Sequence, residues 1–268
     1  MIEYNRINPF PFLYHFRDPQ GTCFTLIKGE KLAVLVDTGY GIGNVKQLIE
    51  NLISTPYIVL CTHGHMDHTA GCFQFPEVYI SKGDYDLFIE HNSKKRRLLN
   101  LEDAKEKNLI DDDFETDKYV FAPLPKVNLF EPGFKLDLGN IEIEIIDMRG
   151  HTKGSIGLLL KNEKLLLTGD AAISMIWLFL KESTSKRTYI DMLNRVKELP
   201  FDNFITGHIM RVFPKRYFDY YLEVAKEANT INSSKVSFHN FERPNTYQYS
   251  KVFENDTIGI CFQEPKED

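Results

Sequence analysis

Cysteine is scarce in this chain. There are four in 268 residues, Cys23, Cys61, Cys72 and Cys261, with no C-x-x-C spacing. That excludes a disulfide-stapled scaffold and a cysteine-rich zinc module, and reduced structural thiols are the simplest reading. Long apolar runs are missing too. The longest, Ala171 to Leu180, is about half the roughly 20 residues that a membrane span needs. Positive charge is in deficit, with 32 Lys and Arg against 38 Asp and Glu and a net charge of −6, whereas a general nucleic-acid binder would more often be basic. Neither an internal repeat nor a low-complexity tract is visible. The start, Met1-Ile2-Glu3-Tyr4-Asn5-Arg6, lacks the charged end and apolar core of a secretory leader, so a cytoplasmic setting is expected. Histidine is also sparse, at eight residues, yet three of the eight fall within six positions.

Those three lie in Thr62-His63-Gly64-His65-Met66-Asp67-His68-Thr69-Ala70-Gly71. Three imidazoles and a carboxylate packed so closely are costly unless a metal occupies them, and borderline divalent cations take both donor types. The preceding Tyr57-Ile58-Val59-Leu60-Cys61 is a short apolar run and reads as a buried strand. Gly64 and Gly71 suit a tight loop leading into a helix. His63 and His65 can splay toward one cation while Asp67 and His68 turn toward a second, which suggests a binuclear site.

Further donors lie downstream, each after a strand-like segment. His151 follows the alternating Ile141-Glu142-Ile143-Glu144-Ile145. Asp170 ends Lys164-Leu165-Leu166-Leu167-Thr168-Gly169-Asp170, and His208 ends Asn203-Phe204-Ile205-Thr206-Gly207-His208. Strand ends that deliver His, Asp and His to one rim form a rigid scaffold for a site.

On these motifs, in this order, the chain resembles the metallo-β-lactamase superfamily over about residues 20 to 210. The resemblance implies an α/β fold of four layers, αββα, with two mixed sheets sandwiched between helices. It implies that His63, His65 and His151 bind one metal, that Asp67, His68 and His208 bind the other, and that Asp170 bridges the two. Asp37, in Leu35-Val36-Asp37-Thr38-Gly39, matches the family aspartate that supports the ligand loop. The bridging position is Asp, where true β-lactamases of this fold carry Cys or Ser, so the glyoxalase II, lactonase and phosphodiesterase branches are the nearer likeness. Lys153 departs from the Pro that many relatives carry after His-Thr. His65 departs from the Glu usual in the related diiron flavoproteins.

A single domain spanning 1–268 is expected, with a helical, lid-like insertion at about 82–132 and an extension after 210. Helices are expected from about Gly43 to Leu52, Thr184 to Leu199 and Pro214 to Ala228. The insertion carries Lys94-Lys95-Arg96-Arg97 and then the acidic Glu102-Asp103 and Asp111-Asp112-Asp113. As solvated helices these charges have no task. As a lid, Lys94, Lys95, Arg96 and Arg97 would grip an anionic substrate. Trp177, the only tryptophan, and Tyr40 are further candidate substrate contacts. His15, His91 and His239 lack a ligand partner at useful spacing and read as structural or solvated.

The chemistry expected is metal-dependent hydrolysis of a small ester, thioester, lactone or phosphodiester. Two divalent metals, Zn²⁺ in the first place with Mn²⁺ or Fe²⁺ as alternatives, would hold a bridging hydroxide made available near neutral pH. Asp67 would both ligate and accept a proton. One alternative is a mononuclear iron dioxygenase acting on a persulfide, which in this superfamily uses the His63, His151 and Asp170 positions. Another is a non-catalytic, metal-stabilised binding module. The expected partner is a small molecule, anionic if the basic run is used, with no nucleic acid and no membrane; a homodimer is compatible with all of this.

Overall fold

The computed structural model describes residues 4–110, 114–238 and 241–264. The first half makes a seven-stranded sheet in chain order, from β1 (Asn5–Phe10), β2 (Leu13–Arg17), β3 (Cys23–Lys28), β4 (Ala33–Val36), β5 (Tyr57–Leu60), β6 (Glu77–Ser81) and β7 (Lys126–Phe130). The first four strands pair antiparallel and β4 to β7 run parallel. The second half makes a six-stranded sheet ordered β14-β13-β11-β10-β9-β8. Its members are β8 (Lys135–Asp137), β9 (Glu142–Asp147), β10 (Ile156–Leu160), β11 (Leu165–Leu167), β13 (Asn203–Ile205) and β14 (Phe213–Pro214).

The two sheets face each other because successive strand residues point to opposite faces. On β4, Val34 and Val36 join Leu158 and Leu160 of β10 and Leu165 and Leu167 of β11 in one core between the sheets. The alternate residues Ala33 and Leu35 turn outward, where Val45 and Ile49 of α1 (Val45–Glu50) and Phe88 of α3 (Tyr85–His91) cover them. On the other sheet Leu159 and Leu166 turn outward to α6 (Lys186–Lys197) and α7 (Tyr217–Glu227). The layers are therefore helix, sheet, sheet, helix, as the motifs implied. Ser185 caps α6 by accepting the Thr188 N–H at 3.2 Å, and Pro200 bars further helix beyond Leu199.

The extension after residue 210 adds what the sequence reading did not foresee. β15 (Ser234–Phe238), β16 (Phe241–Phe253) and β17 (Asp256–Gln263) form a third sheet with β12 (Met175–Leu178), in the order β12-β17-β16-β15. β12 pairs parallel with β17, Trp177 opposite Cys261. These partners stand far apart in sequence, and no local periodicity announces such a pairing.

The insertion is helical only in part. Besides α3 it holds α4 (Lys94–Glu106) and α5 (Thr116–Val120), but Lys126–Phe130 is β7, the edge strand paired with β6. The helical segment thus ends before Lys126, where the pattern changes from helix to Val127-Asn128-Leu129-Phe130. Leu101, Ala104, Tyr119 and Val120 of the insertion form a small core with Ile42, Tyr40 and Phe73, which flank the β4 end and the histidine loop. The expected acidic run at 111–113 and His239 lie outside the described residues. Among the described residues no helix is long and apolar enough to cross a membrane. All four cysteines are free and buried, with Cys61 and Cys72 sulfurs 3.5 Å apart behind the histidine loop.

Candidate metal centre

Five loops at the C-terminal ends of strands converge. Asp37 follows β4, the His63–His68 loop follows β5, His151 follows β9, Asp170 follows β11 and His208 follows β13. Helix α2 (Met66–Thr69) begins within the second loop, placing Asp67 and His68 on its first turn. The structure thereby draws seven side chains, spread over 146 positions from His63 to His208, into two adjoining groups. Candidate ligand atoms of His63, His65 and His151 all lie within 4.8 Å of one another, and so do those of Asp67, His68, Asp170 and His208. Asp170 abuts both groups: its Oδ2 is 3.1 Å from His208 Nε2 and 3.8 Å from His151 Nε2, while its Oδ1 is 3.3 Å from His68 Nε2.

Each histidine has one ring nitrogen anchored by protein. Asp37 is the hub. Its carboxylate accepts the Thr62 N–H at 2.7 Å, the Thr62 hydroxyl at 2.8 Å and His68 Nδ1–H at 2.9 Å. Because the Thr62 hydroxyl donates to Asp37, its oxygen accepts His63 Nδ1–H at 3.0 Å. His151 Nδ1 donates to the Trp177 carbonyl at 3.0 Å, and His208 Nδ1 to the Gly21 carbonyl at 3.3 Å. His65 is anchored the other way round, through Nε2 to Glu182 Oε1 at 2.8 Å. Asp37 holds this hub position at φ 62°, a conformation uncommon for a non-glycine residue and maintained by the three bonds it receives.

The free ring nitrogens fit a cation. His63 Nε2, His68 Nε2 and Asp170 Oδ1 are buried without a hydrogen-bond partner. With their other nitrogens donating outward, His65 Nδ1 and His151 Nε2 present lone pairs to each other at 2.8 Å, an arrangement that needs a shared proton or a metal between or beside them. Burial, and then neighbouring histidines, hold His63 well below the usual imidazole range; burial and His65 bring His151 down to about 4. Neutral imidazoles are the ligand form. In the second group, burial opposes charge, but Asp170, Asp67 and Asp37 together raise His68 far above its usual range. Burial likewise opposes charge on His208, and Asp170 and Asp67 lift it to about 10. A cation in that group would take the place of these two protons, so its binding is coupled to their release.

The residues singled out as substrate contacts divide. Lys94 and Lys95 are exposed on α4, with the Lys94 ammonium 4.2 Å from the Phe121 ring centroid. Arg96 pairs with Glu90 at 3.1 Å. Arg97 is a correction. It is 0% exposed, donates to the Tyr119 and Ala122 carbonyls at 2.9 and 3.3 Å and lies over the Phe73 and Tyr119 rings. Arg97 lies on the buried stripe of α4 with Asn100, Leu101 and Ala104, whereas Lys95 lies on the opposite side and Lys94 is exposed at the start of the helix, and no substrate reaches Arg97. Tyr40 is half-buried, its backbone N–H donating to Asp18 at 2.9 Å; burial, then Asp67, push its phenol up. Trp177 is half-buried and packs on Phe179 and Phe238.

Neither Glu182 nor Asp84 had a sequence signal. Glu182 holds His65. His91, expected to be structural or solvated, accepts the Met66 N–H at 3.1 Å and lies 5.0 Å from the His65 ring; these two and His65 form a third group of possible donors. Asp84 is buried and ties two ligand loops together, accepting Gly64 N–H, the Thr152 hydroxyl and Gly154 N–H at 2.8, 2.6 and 2.7 Å.

Comparison with known proteins agrees with this architecture. The chain is 22% identical over 157 residues to the human acyl-coenzyme A thioesterase MBLAC2, a match covering 54% of this chain and 56% of that protein. It is 28% identical over 160 residues to the hydroxyacylglutathione hydrolase GloC of Haemophilus influenzae, covering 56% and 66%. The match thus spans only part of the length of these relatives. Among solved structures, the metallo-β-lactamase family protein TTHA1429 of Thermus thermophilus superposes with a TM-score of 0.56 at 18% identity, covering 84% of this chain and 79% of that one. The DIM-1 metallo-β-lactamase superposes at 0.58 and 15%, covering 85% and 100%; at these identities the likeness is one of fold. The family model for the metallo-β-lactamase superfamily matches residues 18–208, most of the chain and all seven candidate ligands, and the chain belongs to that superfamily.

Proposed function

We propose that this protein is a binuclear metal-dependent hydrolase acting on a small acyl ester, a thioester of an anionic carrier in the first place. The observation that carries it is the pair of adjoining donor groups that meet at Asp170, with three buried, unpartnered ligand atoms facing inward. His63, His65 and His151 would hold one cation, Asp67, His68 and His208 the other, with Asp170 between. Two such cations supply Lewis acidity and activate water for attack at neutral pH, so no serine or cysteine nucleophile is required.

The chain's own residues do the rest. Asp37 keeps His68 and, through Thr62, His63 in the ligating tautomer. Asp67 is the least buried of the acidic donors, its side chain 20% exposed against 7% for Asp170. Its Oδ2 lies 3.4 Å from His208 Nε2; burial opposes its charge, but His68 and His208 hold its carboxyl well below the usual range, so it stands as a carboxylate, the form in which it would act as a proton acceptor. The exposed Lys94 and Lys95 lie on an insertion that packs against Tyr40 and Phe73, close to the ligand loops, and would meet the anionic part of a substrate. The thioester preference is supported by the names of two relatives, which act on acyl-coenzyme A and hydroxyacylglutathione. Completeness of the second donor group supports a binuclear centre over the mononuclear iron dioxygenase alternative.

The test is metal analysis of protein purified without chelator, followed by hydrolysis of a short acyl-coenzyme A, an S-acylglutathione, a γ-lactone and an aryl phosphodiester. About two equivalents of metal and a preference for the thioesters are expected. One equivalent that does not rise on adding Zn²⁺ or Mn²⁺ would overturn the binuclear reading; hydrolysis of the phosphodiester alone would overturn the substrate class.

A further inference from the structure

His65 is the exception among the five candidate histidines. His63, His68, His151 and His208 are each anchored through Nδ1 and offer Nε2. His65 is anchored through Nε2 and offers Nδ1. Its anchor also differs in kind. The others lean on backbone carbonyls, the Thr62 hydroxyl or the deeply buried Asp37. Glu182 has its side chain 23% exposed and stands on the loop between β12 and α6.

That loop is fastened to the strand end that carries His151. The Glu182 carbonyl accepts the Lys153 N–H at 3.0 Å, the Thr184 N–H donates to the Gly150 carbonyl at 2.9 Å, and the Ser183 hydroxyl donates to the Trp177 carbonyl at 3.3 Å. The Trp177 carbonyl is also the anchor of His151. Glu182 therefore touches two ligand loops at once, one through its carboxylate and the other through its backbone.

We propose that Glu182 is the positioning residue of the three-histidine group: it selects the His65 tautomer that presents Nδ1 and sets that nitrogen against His151. The inference rests on the metal-binding reading above. Without the carboxylate, His65 is free to place its proton on Nδ1 or to turn its ring, and the group drops from three aligned donors to two. Carboxylates that hold a ligating histidine in this way are worth about 10- to 100-fold in metal affinity. The Glu182 carboxylate bonds to His65, which belongs to the three-histidine group and not to the Asp67, His68, Asp170 and His208 group, so the loss falls on one of the two equivalents.

The experiment is a stepwise Zn²⁺ titration, by competition with a chromogenic chelator, of metal-stripped wild type, Glu182→Ala and Glu182→Gln. A parallel Co²⁺ titration follows the ligand-field spectrum of each equivalent. The amide oxygen of Gln still accepts from Nε2–H, so Glu182→Gln is expected to keep most of the affinity that Glu182→Ala loses. In Glu182→Ala one dissociation constant should rise 10- to 100-fold, the other should stay within about threefold, and the Co²⁺ spectrum of the weakened equivalent alone should change. Two unchanged constants in a folded Glu182→Ala protein overturn the proposal while leaving the metal reading intact. Equal weakening of both equivalents, with a matching fall in thermal stability and no rescue by Gln, shows a merely structural role and also overturns it. A wild type that binds no metal defeats both readings.

Discussion

Gly207 allows the candidate centre to be disturbed without removing a ligand. A Cβ at this position would lie 2.3 Å from Asp170 Oδ1 and 2.7 Å from His68 Cε1. Ordinary contact for such atoms begins near about 3.4 Å, so Asp170 would have to retreat by roughly 1 Å. The backbone cannot yield instead. Gly207 N–H donates to the Gly169 carbonyl at 2.9 Å, and its own carbonyl accepts the Cys23 N–H at 2.7 Å. Gly207→Ala thus drives the displacement into two candidate ligands, Asp170 above all and His68 with it. A misplacement of about 1 Å costs on the order of 100-fold in rate, or about 2.7 kcal/mol of barrier. Overpacking adds about 1–3 kcal/mol of lost stability. The assay has three parts: melting temperature of the metal-stripped protein, zinc stoichiometry and stepwise affinity, and turnover of the best substrate from the panel proposed above. Expected are a folded protein with a modestly lower Tm, a weakened second equivalent and turnover down by about two orders of magnitude. A folded Gly207→Ala protein that keeps two equivalents at wild-type affinity, and more than half of wild-type turnover, would refute the reasoning.

Other outcomes follow from the same contacts. Asp67→Ala should lower turnover by orders of magnitude, since it would remove a proposed ligand and proton acceptor together; a loss under tenfold, read in steady-state kinetics, would show the role misassigned. Arg97→Ala should lower unfolding free energy by about 2–4 kcal/mol in urea titration, because it leaves the buried Tyr119 carbonyl and the partly buried Ala122 carbonyl without their donor. Lys94→Ala with Lys95→Ala should leave stability and metal content alone and raise KM for an anionic substrate more than it lowers kcat; an unaltered KM marks the exposed face as merely solvated. His15 is buried between Thr25 and the Ile209 carbonyl, and burial lowers it to about 4. The folded state excludes a proton that the unfolded chain binds near pH 6.5. Its contribution is therefore complete above that pH and is lost as pH falls from about 6.5 to 4, by on the order of 3 kcal/mol. Metal-stripped His15→Asn should show a shallower fall in Tm over that window than wild type, and parallel curves would exclude the assignment.

The candidate ligands that the structure groups together were legible from sequence because metal chemistry imposes residue types at short range. His63, His65, Asp67 and His68 crowd one loop, and His151, Asp170 and His208 each close an apolar, strand-like run. The αββα layering was expected only through the family resemblance that the ligand motifs carry; Leu35-Val36 and Leu158-Leu159-Leu160 are apolar throughout, and only the packing of the sheets assigns their inner and outer faces. The basic run was misread at one position. Four consecutive cations look alike in sequence, but Arg97 falls on the stripe of α4 that packs against Phe73 and Tyr119, Lys95 faces away, and Lys94 stands exposed at the helix start. The third sheet escaped notice because β12 and β17 meet across some 80 residues, and neither carries the other's address. Glu182 and Asp84 escaped for the same reason, as did the particular bond made by His91, which was expected only to be structural or solvated. Their partners, the His65 Nε2, the Met66 N–H and the Gly154 N–H, are single atoms on remote loops. Short-range donor chemistry is written in the chain, whereas the anchoring of those donors depends on which distant backbone and side-chain atoms folding brings within hydrogen-bonding reach.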